Sequence, residues 1–233
     1  MTQVINLDAD FLSPRRCMRE PISEIFEAAE LLSEAADRHL VGDELEARRL
    51  LKRADMSTVR MWTDSLWGAR KNHPEQGTYH RYRPIESAPP RLPIGERVAM
   101  RMPTAAQKIS VVETFKKHCA FCRIPLIHPE IRKLFHRWYP DEVPWGGATH
   151  EQHAAFQCLW MQFDHLLPHS RGGDNSLENL VLTCAGCNFG RMQWTLEEVG
   201  LLDPRGRSLP LSDWDGLERV RGMFGPARLT SRS

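Results

Sequence analysis

The amino-acid sequence predicts an α+β fold, mainly helical, with a short bent β-hairpin. Three observations lead there. Apolar residues recur at helical spacing through long parts of the chain. The run Gln162–His165 reads as a strand that Pro168 and Gly172-Gly173 interrupt, and the chain returns through Leu177–Thr183. Two Cys-x-x-Cys knuckles, Cys119/Cys122 and Cys184/Cys187, suit one ion held across a small core.

At 233 residues the chain can bury a real core in one or two domains. Its 41% hydrophobic and 26% charged residues are those of an ordinary globular protein. No apolar run has the length of a membrane span, and MTQVINLDAD lacks the basic start and apolar core of a signal peptide. The expectation is an intracellular, cytoplasmic protein without a membrane partner. Charge is unevenly spread. Residues 1–43 carry four Arg against nine acids, residues 44–101 twelve bases against seven acids, and the rest is almost balanced. The basic middle can track a phosphate backbone or form a solvated face.

Residues 21–40 predict an amphipathic helix with Ile22, Ile25, Phe26, Ala29, Leu32, Ala36 and Leu40 on one stripe, ended by Gly42. Asp43 with Glu46 caps a second helix through Ala54, and Ser57 caps a third with Val59, Trp62, Leu66 and Trp67 inward. These form a helical unit, residues 1–68. From 69 to 103 prolines break the period and Arg70, Lys71, His73, His80, Arg81 and Arg83 make the segment basic, a linker or arm. Residues 104–233 form the third part. Thr104 opens a helix carrying Ile109, Val112 and Phe115, followed by a strand over 123–127. Residues 128–160 hold two helices, Pro129–Tyr139 and Thr149–Trp160, as an insertion. Two C-terminal helices follow, one capped by Thr195 with Glu198 and one over Ser212–Met223.

Four of the six cysteines lie in the two knuckles, and in a reducing compartment that spacing favours metal over disulfide. Cys119, Cys122, Cys184 and Cys187 fill a tetrahedral zinc shell completely, so the zinc is structural. Cys17 and Cys158 are ordinary residues, Cys158 in a helix.

The stretch FDHLLPHSRGGDNSLENLVLTCAGCN contains Asp164-His165, Pro168, Gly172-Gly173, Asn179-Leu180, Cys184/Cys187 and Asn188 in that order. It resembles the HNH endonuclease family, the ββα-metal or His-Me finger nucleases, over roughly residues 105–200. The leading Cys119/Cys122 pair is a common feature of that family. The resemblance implies a zinc-stabilised ββα-metal nuclease core. Its activity would be metal-dependent hydrolysis of DNA phosphodiester bonds, with double-stranded DNA the expected partner.

The chemistry of the residues fits those roles. His165 can be neutral near pH 7 and take a proton from water. Asp164 and Asn188 offer hard oxygens suited to one Mg2+ or Mn2+ with positions left for phosphate. By resemblance Asn179 braces the loop and orients His165. Arg171 and Arg191 are expected phosphate contacts. Asn188 stands where the family often has a third His, which favours hard cations over zinc. His169 is a nearby auxiliary candidate that reads as a loop residue. The alternative function is a zinc-stabilised DNA-binding module without cleavage, and a third is a zinc scaffold for protein contacts. Target sequence, biological role, nicking against double-strand cleavage, and homodimer against monomer are not written in the chain.

Overall fold

The computed structural model describes residues 18–67 and 85–224. Cys17, the stop at Gly68 and the basic segment from Arg70 to Arg83 lie outside the described residues, and so does the Trp67 side chain.

Three helices open the described chain: α1 (Ser23–Leu40), α2 (Glu44–Ala54) and α3 (Ser57–Trp67). Asp43 caps α2 by accepting from Glu46 N, as its position before the apolar run requires. In α1 the buried face is Ile25, Ala28, Ala29, Leu31, Leu32, Ala35 and Ala36. Phe26, expected on that stripe, is 43% exposed, because the small residues at 28, 29, 35 and 36 turn the close-packed face away from it.

Helix α4 (Ala105–Phe115) begins with a full capping box. Gln107 N donates to Thr104 Oγ1, and Thr104 N donates to the Gln107 side chain. Its inward face is centred on Val111 and Phe115, which leaves Ile109 51% exposed. The strand expected over 123–127 is reduced to isolated bridges, His118 with Pro125 and Ile127 with Trp160. Helix α5 (Pro129–Trp138) buries Ile131 and Phe135.

The helix expected from Thr149 starts later, as α6 (Ala154–Cys158) capped by His153. Gln152 is extended because it pairs with Trp145 across the preceding turn, and His153 N donates to Pro144 O. Thr149–Glu151 is a single 3-10 turn. The sheet is one antiparallel pair, β1 (Met161–His165) with β2 (Leu180–Cys184), in register from Met161–Cys184 to His165–Leu180. Helix α7 (Ala185–Arg191) follows β2 directly.

In the tail, Thr195 and Glu198 make their reciprocal capping bonds around a turn that does not continue as a helix. The final segment is a 3-10 helix, Glu218–Phe224, with Leu217 and Val220 fully buried. One hydrophobic cluster runs from α1 through both knuckles and the hairpin to Leu217 and Val220. Helix α3 meets α7 inside it, with Leu66 and Trp62 against Gly186. Each fully buried Leu there stabilises the fold by about 1.5–3 kcal/mol. The N-terminal helices thus form the floor on which the hairpin and its helix rest.

Candidate metal and nuclease site

The cysteine cluster is built by two short turns. Arg123, at φ 66°, closes the first knuckle, where Cys119 N donates to Ile124 O and Ala120 N to Leu182 O of β2. In the second, Cys184 caps α7, its Sγ accepting from Cys187 N at 3.3 Å. All four thiols are buried, and their sulfurs lie within 4.8 Å of one another. Cys122 and Cys184 Sγ are 3.7 Å apart. Thiolates about 2.3 Å from a tetrahedral zinc stand about 3.8 Å from each other, whereas a disulfide needs about 2.05 Å. The four cysteines could therefore hold zinc. Burial opposes charge on Cys119, but the thiols around it donate to its sulfur and hold its pKa well below the usual thiol value. Cys187 is pushed up by those same neighbours and by burial, and Cys184 by burial and by them. A dication bound among them would favour the thiolate form of all four.

Regular pairing in β1 persists through His165, and it ends with Leu166 N donating to Asn179 O. Asp164 is held from two sides. Its Oδ1 accepts from His165 N at 2.8 Å, and its Oδ2 accepts from Arg191 Nη2 at 2.6 Å and Nε at 3.2 Å. Arg191 is 1% exposed and spends its remaining donors on the carbonyls of His165, Leu166 and Trp194. It is an internal clamp between the end of β1 and the end of α7. The sequence expectation is a substrate phosphate contact; in the fold all of its donors meet internal oxygens. A signal for the role was present: Asn188 and Arg191 are three residues apart on a short helix and share a face.

Arg171, the other expected phosphate contact, is also engaged internally. Its guanidinium donates to Gln193 O at 2.9 Å, Pro89 O at 2.6 Å and Glu198 Oε1 at 2.9 Å, stapling the loop to the arm and the tail.

The loop between the strands is braced by Asn179. Its Oδ1 accepts from Leu167 N at 2.7 Å, while its Nδ2 donates to Leu167 O and Asp174 O. This packing leaves no space at Gly173: a Cβ there would sit 1.8 Å from Leu167 O. Gly172 beside it has φ +90°, which a side chain rarely adopts.

Asn179 does not touch the His165 ring; Asn175 does. Its Oδ1 lies 2.8 Å from His165 Nε2, and its Nδ2 donates to Met100 O and Met102 O. With both amide hydrogens so committed, the oxygen faces the ring and Nε2 is the donor, so in a neutral ring Nδ1 keeps the lone pair. Asn175 escaped the sequence reading because its partners, Met100 and Met102, lie more than seventy residues away in the arm. His169, with its ring centroid 6.0 Å from that of His165, bonds Val98 O and belongs to the same contact.

Asp164, His165 and Asn188 line one cavity of ≈ 960 Å³ at the end of the hairpin. The Asn188 amide nitrogen leans toward Gln162 Oε1 at 3.5 Å, which leaves its oxygen for another partner. Each Asp164 oxygen keeps acceptor capacity beyond its present bonds. The donor set, one carboxylate and one amide oxygen beside a polar cavity, fits a hard divalent cation.

Two antiparallel strands followed by a helix make a ββα unit, with Asp-His at the end of the first strand and Asn on the helix. Residues 146–195, which hold the hairpin and its helix, match the HNH endonuclease family. A domain of that family implies a nuclease, a hydrolase acting on nucleic acid with divalent metal. No curated protein and no solved structure matches the chain. Among the described residues, no helix is long and apolar enough to cross a membrane.

Proposed function

We propose that the protein is a metal-dependent DNA endonuclease. His165 is its general base, Asp164 and Asn188 are ligands to one Mg2+ or Mn2+, and Cys119, Cys122, Cys184 and Cys187 hold a structural zinc. Residues 104–233 form the nuclease domain, 1–68 its helical support and 69–103 an arm. The observation that carries the reading is the opening of Asp164, His165 and Asn188 onto one cavity, behind a buried tetrad of thiols.

In that cavity the His165 imidazole takes a proton from the attacking water through the ring nitrogen that keeps its lone pair. Asn175 sets the tautomer and fixes the ring. Asn179 keeps the loop shut so that the ring stays over the hairpin end. Arg191 sets the Asp164 carboxylate and tethers the backbone on either side of His165. The bound cation would supply charge neutralisation at the phosphoryl and leaving oxygens.

One observation favours the alternative of a non-cleaving DNA-binding module: Arg191 already balances the charge of Asp164. Incubating supercoiled plasmid with purified protein and Mg2+ or Mn2+ decides between them. The nuclease reading expects nicked or linear product from the wild type and a loss of about 10²–10⁴-fold in His165→Ala. Binding without cutting, under either cation and in both proteins, would establish the module instead.

A further inference from the structure

The arm preceding α4 is part of the candidate site. From Ile85 to Pro103 it has one 3-10 turn, Ile94–Glu96, and no other regular structure, yet the catalytic loop grips it along its length. Leu92 N donates to Ser170 O at 2.8 Å, and Pro89 O accepts from Arg171 Nη1. Val98 O meets His169 Nε2 at 2.8 Å, and Met100 O and Met102 O take both hydrogens of the Asn175 amide. Each bond falls on backbone of the arm; of its basic side chains, Arg97 gives its Nε hydrogen to Leu92 O at 3.0 Å and keeps its two terminal nitrogens for other partners.

Those side chains have a distinct character. Arg91, Arg97 and Arg101 line the cavity that also holds His165 and Asn188, and Lys108 of α4 joins them. Asp164 is the one carboxylate in the lining, and Arg191 neutralises it. Among the described residues no carboxylate forms an ion pair with any of these four bases. Glu86 and Glu96 belong to the arm but not to the cavity lining. Ile94, 83% exposed, and Val98, 40% exposed, lie on the same wall and have joined no core.

A cavity ringed by guanidinium groups that pair with no carboxylate among the described residues, with apolar side chains between them, suits a polyanion that has flat, apolar faces. We propose that residues 85–103 form the outer wall of a groove that holds a DNA strand over His165. Arg91, Arg97 and Arg101 meet successive phosphates, and Ile94 and Val98 rest against sugars and base edges. The wall rests on the nuclease reading of the same cavity, and it takes the phosphate role that Arg171 and Arg191, both internally committed, do not fill. Because Asn175 joins the arm's backbone to the His165 ring, a strand seated on the wall is registered against the base by the same bonds.

The test uses the full chain carrying His165→Ala, in metal-free buffer so that nothing is cut, and titrates a labelled duplex and the matching single strand across 50–300 mM salt. Replacing Arg91, Arg97 and Arg101 together with Gln should weaken binding at least tenfold at the lowest salt. The slope of log K against log salt should flatten by about 2–3 for duplex, at about 0.9 per lost phosphate contact, and by about 2 for single strand. Lys at the three positions should retain most of the slope, which separates lost charge from lost folding. The larger change marks which form of DNA the wall holds. Unchanged affinity and slope in the Gln variant would overturn the wall. Plasmid cleavage by the same triple Gln variant with His165 intact distinguishes the two readings. A wild type that cuts while the wall fails its binding test leaves the nuclease standing alone; a wall that binds in a wild type that never cuts removes the nuclease reading.

Discussion

Replacing Arg191 with Met perturbs this fold at a buried charge. The substitution keeps the length of the side chain and removes its charge and donors. It strands the Asp164 carboxylate and strips a donor from the carbonyls of His165, Leu166 and Trp194, all at a position 1% exposed. Breaking a buried ion pair from one side costs about 3–5 kcal/mol. For a domain of this size each kcal/mol moves the melting temperature by about 2–4 °C, so a fall of about 6–20 °C is expected. Calorimetry of zinc-loaded protein measures it. The double variant Asp164→Asn/Arg191→Met should lose less than the two single losses added together, because it leaves no unpaired charge behind. Arg191→Lys should not restore stability, since one ammonium group cannot span the carboxylate and three separated carbonyls. A melting temperature for Arg191→Met within about 1 °C of wild type would refute the clamp, because a solvated surface arginine behaves in that way.

Three further outcomes follow from particular residues. A strong chelator, or Cys119→Ser, should remove about one zinc per chain by metal analysis. It should also lower the melting temperature sharply, because the tetrad joins residue 119 to β2 and α7; zinc-free protein with unchanged melting would dismiss the site. Gly173→Ala should displace the loop, since its Cβ would meet Leu167 O at 1.8 Å. The expected result is weakened amide protection across 165–179 and slowed plasmid cleavage, with the tetrad still loaded. His153 is fully buried, accepting from Phe156 N through Nδ1 and bonding Leu51 O through Nε2, so its neutral form is the one the fold uses. Burial lowers its pKa below the ordinary 6.5. Its stabilisation is therefore complete above the unfolded-state value and is lost as pH falls below it. The urea midpoint should drop between pH 7.5 and 5.5, and His153→Gln should flatten that dependence.

The helices at 23–40, 44–54 and 57–67 were legible because their boundaries are written locally, in Asp43, Gly42 and a 3.6-residue apolar period. The Thr104–Gln107 box was legible for the same reason. The late start of α6 was not, because it depends on Gln152 pairing with Trp145 and His153 with Pro144, which no local propensity encodes. The four cysteines could be named from spacing, since a metal constrains residue type and interval together, and Asp164, His165 and Asn188 from an ordered motif that resembles a known family. The roles of the arginines could not. A guanidinium at a phosphate and one buried against four oxygens are the same letter in the chain.

Chemistry, then, was determined by the sequence itself: which side chains can hold an ion or move a proton, and in what order they occur. Tertiary structure alone decided their surroundings. It placed Arg191 against Asp164, Asn175 against His165, and the backbone of residues 85–103 against both flanks of the loop. The physical reason is one of range. Capping, turns and knuckles are satisfied within a few residues, whereas buried charges and amide donors take whichever partner the folded chain brings near, at any distance along it.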